Sequence, residues 1–284
     1  MRICIVPVCY NAHSDALRFL ESVNRAYLSC FGLQLDVVLS DNSTVLPGAC
    51  ELDQGYAFAY KYQKNDNVGY FPGFNRGLSV LPVPISSYDF IVVCNVDLVM
   101  ADDFFSVLSK QVLESNTGLI APGIFSDKDG RDMNPKIMRR PTAAKINFMR
   151  IVCSNVLLFR WYHKLVRLRE QARSRSQKKK SIEGRESKAP AGQRMYGAHG
   201  SFMIFTKQYF RQGADVDYPR FLFGEEGFVA EQLRRHNLVI EHVPELRVFD
   251  KEHASTSQVK LKFLCAEHKK SYDYFYRHFL KGGS

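Results

Sequence analysis

The strongest constraint on this chain is an alternation. Over the first 120 residues, short apolar runs of strand length alternate with segments whose apolar residues recur at helical spacing. Ile3–Val8 is a compact β run. Leu17, Leu20 and Val23 then recur at helical spacing between Ser14 and Tyr27. Leu35–Leu39 predicts a second strand, closed by the turn-rich stretch Ser40–Thr44, and Tyr56–Tyr62 a third. Gly73–Leu81 predicts a helix stopped by Pro82 and Pro84. Phe90–Cys94 is apolar at every position, which suits a central strand covered on both faces. Phe104–Leu113 predicts a helix capped by Asp102 or Asp103, and Gly118–Ala121 a further strand. Strands and helices in this order make an α/β protein, with a Rossmann-like, mostly parallel sheet flanked by helices.

The pattern breaks over 125–195. Asp127, Asp129, Gly130 and Arg131 form a polar turn, and Lys145 to Arg169 reads as helical. Between Arg139 and Lys180 stand thirteen Lys or Arg and one acid, Glu170, a net +12. The whole chain carries +10, so the remainder is −2 and the basic balance belongs to one insertion. Arg173–Gln193 is rich in Ser, Lys, Arg and Gly and reads as mobile. Order resumes at Tyr196, with a strand at Ser201–Phe205, a helix near Phe228–His236 and a strand at Leu238–Val243. A long amphipathic helix follows from about Val259 to Leu280. Its aromatic stripe (Tyr272, Tyr274, Phe275, Tyr276, Phe279) reads as core packing before a partner face. Three segments result: 1–138, 139–193 and 194–284.

Apolar residues at 45% and charged residues at 24% exclude a disordered chain and a collagen-like one. Seven cysteines without a CxxC pair read as reduced, buried thiols. No window approaches the roughly 20 apolar residues of a membrane span. The first residues read as a strand and not as a targeting signal, so the expected location is the cytoplasm.

Chemistry concentrates at strand ends. Phe90–Cys94 runs into Asn95-Val96-Asp97, and the carboxyl ends of parallel strands line the ligand crevice of such sheets. An oxygen ligand there can hold magnesium or manganese against a diphosphate; the alternative is a turn Asp capping the next helix. Asn65–Gly77 holds Asn67, Gly69, Gly73 and Asn75 in a loop that allows close backbone approach to a ligand. Asp41 follows the second strand, where it can accept from a base or ribose or sit in a solvated Asx turn. Glu225 and Glu226, flanked by Phe221 and Phe223, are an acid pair beside apolar walls. One member of such a pair can serve as general base, and the alternative is a favourable helix N-terminus. His253 follows a strand and can complete a metal site or stand exposed.

Taken in order, Pro7, Tyr10-Asn11, Asp41, Asn67-x-Gly69, Gly73, Asn75, Asn95-x-Asp97, Gly200-Ser201-Phe202, Glu225-Glu226 and His253 resemble family 2 glycosyltransferases of the GT-A fold. The likeness leans toward bacterial O-antigen, lipopolysaccharide or capsular polysaccharide enzymes, rhamnosyltransferase-like members included, and spans the chain except about 140–193. The resemblance implies a donor site made by Pro7, Tyr10, Asn11, Asp41, Asn67, Gly69, Gly73, Asn75, Asn95 and Asp97. It implies manganese or magnesium at Asp97 and His253, and His199 with Gly200 on the acceptor side. Asn95 departs from the usual acid and removes one negative charge. The second acid, Glu226, would be the base, with Glu225 its rival. The segments then become a nucleotide-sugar half (1–138), a basic insertion (139–193), and an acceptor-binding and catalytic half (194–284).

The implied reaction is inverting transfer from a UDP- or dTDP-sugar to a hydroxyl of a glycan or lipid-linked oligosaccharide. Trp161, Phe159, Leu157 and Leu158 among basic residues of 145–180 suit an anionic membrane surface, on the inner face of the cell membrane. The alternatives are a solvated insertion and nucleic-acid binding, and no reader motif supports the latter. Two rival functions remain: a sugar-phosphate nucleotidyltransferase, and a non-catalytic scaffold subunit. Val6–Ser14 lacks the Lys, Arg and Gly expected of a triphosphate loop, which counts against the first.

Overall fold

The structure, a computed structural model, describes residues 1–46, 52–166, 168–169, 195–251 and 260–281. It divides into two units, Met1–Arg140 with Arg194–Ala254, and Pro141–Gln193 with Ser255–Ser284.

The first unit holds one curled sheet of eight strands. They are β1 (Arg2–Cys9), β2 (Gln34–Asp41), β3 (Ala59–Lys64), β4 (Phe90–Asn95), β5 (Leu98–Met100), β6 (Thr117–Ser126), β7 (Phe202–Thr206) and β8 (Val239–Asp250). Their order is β3-β2-β1-β4-β7-β6-β8-β5. The pairs β1–β2, β1–β4, β2–β3 and β6–β8 are parallel. Strand β7 runs antiparallel to β4 and β6, and β5 antiparallel to β8. The helices are α1 (His13–Leu28), α2 (Tyr70–Leu78), α3 (Phe104–Leu108), α6 (Lys207–Arg211) and α7 (Glu225–Arg235).

Helix α1 buries Ala16, Phe19, Leu20 and Val23, a spacing of three and four that turns one stripe toward the sheet. These side chains join Ile3, Ile5, Val37, Val92, Phe104 and Phe202 in one apolar cluster. Several elements depart from the sequence pattern. Strand β8 continues beyond Val243 despite Pro244, because the ladder absorbs the interruption as a bulge. Pro122 pairs with Val243, and the next residue, Gly123, pairs with Arg247. Beyond it, Leu246 and Val248 are buried while Glu245, Arg247 and Phe249 are exposed, a period of two. Strand β5 has only three residues, too few to show a period. Helix α2 begins at Tyr70, three residues before the expected start, and α7 begins at Glu225. Helix α3 stops at Leu108, short of the expected Leu113.

The second unit contains α4 (Ala143–Val152), α5 (156–166, with 168–169 also helical) and α8 (Leu261–Phe275), the last continued by a π-helical turn, Tyr276–Leu280. The single helix read over Lys145–Arg169 is two helices, broken after Val152 by the turn residues Cys153–Asn155. Met149, Val152, Cys153, Phe159 and Cys265 form their core. Phe275 and Phe279 are buried, which is the core role expected of that stripe. Arg150 pairs with Asp273 at 2.6 Å and lies over the Tyr276 ring. Among the described residues six cysteines are free, and no helix is long and apolar enough to cross a membrane.

A buried carboxylate with half-exposed arginine partners ties α7 to its surroundings. Glu231 is fully buried and accepts from Arg140 Nε at 2.6 Å, the Tyr196 hydroxyl at 2.6 Å and Arg234 Nε at 3.0 Å. Burial alone would raise its carboxyl, but Arg140, Tyr196 and Arg234 outweigh it and hold the group below the ordinary range. Glu231→Ala removes the acceptor of the partly buried Tyr196 hydroxyl and of two half-exposed guanidinium groups and should cost about 1–3 kcal/mol. Urea unfolding measures this; an unchanged midpoint would show that the network contributes nothing.

Candidate active site

The parallel register of β1 against β2 and β4 sets the site. Val8 lies opposite both Ser40 and Asn95, and Cys9 lies opposite Asp41. Three strands therefore end along one line, where loops carry the polar residues.

On the β2 side Asp41 is fully buried. Its carboxylate accepts from the Tyr62 hydroxyl at 2.6 Å, the Ser43 backbone N–H at 2.9 Å and His13 Nε2 at 3.2 Å. Burial acts to raise the carboxyl, yet the hydrogen bonds from Ser43, Tyr62 and His13 prevail and hold it below the usual carboxylate range. Asp41 is therefore no solvated turn residue. Lys64 Nζ donates to the Ser43 carbonyl at 2.6 Å and closes the same corner. Tyr10 and Asn11 are exposed just past β1; Asn11 Oδ1 accepts from the Thr44 N–H at 3.0 Å. Pro7 is buried within β1 and lies opposite Cys94.

The loop before α2 is tied to this corner. Asn42 Nδ2 donates to the Gly69 carbonyl at 2.8 Å, and the Ser40 hydroxyl donates to the Gly73 carbonyl at 2.7 Å. Gly69 has φ +96°, and a β-carbon there would overlap the Phe221 backbone, so only glycine fits. The Tyr70 N–H donates to that same Phe221 carbonyl at 3.0 Å. Asn67 is exposed. Asn75 donates to the Val216 carbonyl at 3.0 Å, a structural bond.

On the β4 side, the Asn95 N–H donates to the Ser201 carbonyl at 2.9 Å. Asp97 lies between β4 and β5 and caps no helix. Its Oδ1 is buried and, among the described residues, without a hydrogen-bond partner. Burial pushes its carboxyl upward. A buried carboxylate oxygen with no donor is what a cation ligand looks like before the cation arrives. The residue thus fits the metal that the sequence reading gives it. His253, its expected co-ligand, lies outside the described residues.

Tyr70 joins the two sides, and the sequence reading passed over it. Its hydroxyl donates to the Gly200 carbonyl at 2.8 Å. Its phenol is pushed far up, chiefly by burial. Gly200 lies against Glu226: a β-carbon there would stand 3.0 Å from Glu226 Oε1. The signal for Tyr70 was present as an aromatic directly after the loop glycine, but its burial was not readable.

Glu225 opens α7 behind the left-handed Gly224 and is buried, and its Oε1 has no partner among the described residues. A helix N-terminus favours the ionised form by about 0.3–1 kcal/mol. Burial and the neighbouring Glu226 win, and the carboxyl is pushed up to about 8. Glu226 is only half-buried. His199 Nδ1 accepts from the Ser201 N–H at 3.2 Å, which puts the ring proton on Nε2. Burial and Lys136 push the ring down to about 3, so it is neutral at physiological pH.

Cys9, His13 and Asp41 also bring ligand-type atoms within 4.8 Å of one another. Burial pushes the Cys9 thiol up to about 12, and a thiol must lose its proton to ligate. Asp41 is already saturated by donors. This cluster is a second place a cation can be sought, distinct from Asp97.

No protein-family model and no curated protein matches the sequence. Solved structures do. TarS from S. aureus matches over 100% of this chain and 46% of its own, at 9% identity and a TM-score of 0.50. TarS 1–349 in complex with UDP-GlcNAc matches over 94% and 66%, at 11% identity and 0.52. The mannosyltransferase PcManGT from Pyrobaculum calidifontis, in complex with GDP-Man and Mn2+, matches over 95% and 69%, at 11% and 0.50. The chain spans about half the length of TarS. At these identities the likeness establishes the fold, which is GT-A-like and shared with glycosyltransferases.

Two outcomes follow from this geometry. Because the folded carboxyl of Glu225 lies near 8 and its ordinary value is 4.5, the folded state binds the extra proton between those values. Stability from this group is complete below about 4.5 and is lost as pH rises toward 8. In Glu225→Gln that decline should vanish, so the variant gains on wild type across pH 5–8 in thermal melts; parallel curves would contradict the burial argument. Gly69→Ala should displace the loop from Phe221 and cost about 1–3 kcal/mol as backbone strain, seen as a lowered melting temperature.

Proposed function

We propose that this chain is a metal-dependent glycosyltransferase that moves a sugar from a nucleoside-diphosphate donor to an acceptor hydroxyl. The observation that carries the reading is that the end of β4, which leads into Asp97 and its buried Oδ1, partnerless among the described residues, bonds Ser201 beside Gly200, and Gly200 in turn accepts from the Tyr70 hydroxyl and lies against Glu226. The shared fold supports it, since neighbours of that fold were solved with UDP-GlcNAc and with GDP-Man and Mn2+.

In this reading the exposed Tyr10 and Asn11 receive the nucleoside, and Asp41, the donor-site acid of the sequence analysis, serves from beneath as the buried acceptor that holds Ser43, Tyr62 and His13 in place. The Gly69–Tyr70 turn lies along the donor. Asp97, with His253, would hold manganese or magnesium. That ion supplies neutralisation of charge on the leaving diphosphate. Glu226 takes the proton from the acceptor hydroxyl as its oxygen attacks the anomeric carbon and the nucleoside diphosphate departs. One displacement inverts the configuration. Glu225 is buried and its carboxyl is raised by burial and by its neighbour, whereas Glu226 is only half-buried and lies against Gly200, which favours Glu226 as the base. Neutral His199 can donate through Nε2 to the acceptor without adding charge. We assign the acceptor to the class of glycan or lipid-linked oligosaccharide used for surface polysaccharides, and the donor to UDP- or dTDP-sugars, rhamnose included. Asn95, in place of an acid, keeps a binding-only scaffold as the second reading.

Donor hydrolysis with manganese separates the two, since a scaffold releases no nucleoside diphosphate. Glu226→Gln should keep donor binding by calorimetry and lose about 10²–10⁴ in turnover; wild-type turnover moves the base elsewhere. Asp97→Ala should abolish the manganese-dependent part of donor affinity, and equal affinity with and without chelator in the wild type would remove the metal from the reading.

A further inference from the structure

The second unit carries a surface that transfer chemistry does not explain. Helix α5 has two apolar faces. One holds Phe159, 1% exposed, packed 4.3 Å from the His163 ring and 5.5 Å from the His268 ring. The sequence reading counted Phe159 among the membrane-facing residues, and the structure corrects this: Phe159 is core. The opposite face holds Leu157, Trp161, Leu165 and Leu168, spaced i, i+4, i+8 and i+11 along one stripe. They are 66%, 64%, 62% and 54% exposed. Phe148 and Ile151 on α4 are likewise exposed, and Phe148 reaches Tyr162 of α5 at 6.1 Å between rings. An isolated exposed leucine is unremarkable, but a contiguous stripe of large apolar groups on one helix marks an interaction site.

Charge decides which partner fits. From 141 to 169 the sequence has six Lys or Arg and no acid. Lys145, Arg160, Lys164 and Arg169 are exposed. On the helical wheel Arg160 and Lys164 border one edge of the stripe and Arg169 the other. Lys164 Nζ lies 5.7 Å from the centroid of the Trp161 ring. An apolar face flanked by cations, with a Trp at the boundary, is the pattern of a helix lying in a headgroup layer. A second copy would bring like charges together on this face, and an apolar stripe gives a nucleic-acid backbone nothing to bond.

We propose that the outer face of α4 and α5 seats on an anionic phospholipid surface, with Leu157, Trp161, Leu165 and Leu168 entering the interface and Arg160, Lys164 and Arg169 meeting the headgroups. The proposal does not rest on the transferase reading, and its test contains no donor.

The chain has one tryptophan, so Trp161 reports on its own surroundings. The full chain is floated with vesicles of phosphatidylcholine alone and of an equimolar mixture with phosphatidylglycerol. Binding to the anionic vesicles should exceed binding to the neutral ones about ten-fold or more. Trp161 emission should shift to the blue and be quenched by bromine-labelled acyl chains. Arg160→Glu with Lys164→Glu should cost about ten-fold or more in anionic binding, and Leu157→Ser with Leu165→Ser should abolish the bromine quenching. All four positions are exposed, so circular dichroism and melting temperature should stay at wild-type values. Equal flotation with both vesicles, an unshifted emission, or unchanged binding in both variants overturns the proposal. So does self-association that Leu157→Ser with Leu165→Ser removes while vesicles fail to bind, an outcome that gives the face to a second copy.

Discussion

The site depends on β1 lying in parallel register between β2 and β4. That pairing sets Cys9 beside Asp41 and Val8 beside Asn95, so residues far apart in the chain reach one edge of the sheet. Backbone hydrogen bonds fix this alignment, and a one-residue slip would turn every side chain to the other face. The loops then lock to the edge through bonds from buried groups: Asn42 to Gly69, Ser40 to Gly73, and the Asn95 N–H to Ser201. A cleft built on strand ends is rigid, which is what positioning two substrates needs.

Buried charge is handled in two opposite ways. Asp41 and Glu231 are surrounded by donors, and hydrogen bonding defeats burial, so both carboxyls are lowered. Asp97 and Glu225 each keep a buried oxygen without a donor, and burial prevails. The first pair holds the fold and the nucleoside corner together. The second pair stores the cost of desolvation at the place where a cation and a proton transfer are proposed. Perturbed carboxyls at a strand-end cleft are a physical reason to seek chemistry there.

The two apolar sides of α5 follow the same logic in the second unit. Phe159 is needed to close a small three-helix core against Cys265 and Met149. Nothing in that core requires Leu157, Trp161 or Leu165 on the opposite side. Their size and the cations around them are explained by an external apolar phase.

Much of this protein was readable in its residues. Continuous apolar runs are strands covered on both faces, so β1, β2 and β4 and the α/β class followed from pattern alone. The acid after β4 and the acid pair after Phe223 were identifiable because such residues beside apolar stretches are unusual. Position along the chain does not report burial or partners, so tertiary structure decided the rest. It bonded Tyr70 to Gly200 beside Glu226, paired Arg140 with Glu231, and carried β8 past Pro244 through a bulge. It also sorted Phe159 inward and Trp161 outward, although both sit on one basic helix. Local sequence dictates which elements form, since propensity and periodicity act over a few residues. Which groups lose their water, and which carboxyl keeps its proton, depends on atoms brought together from more than a hundred residues away.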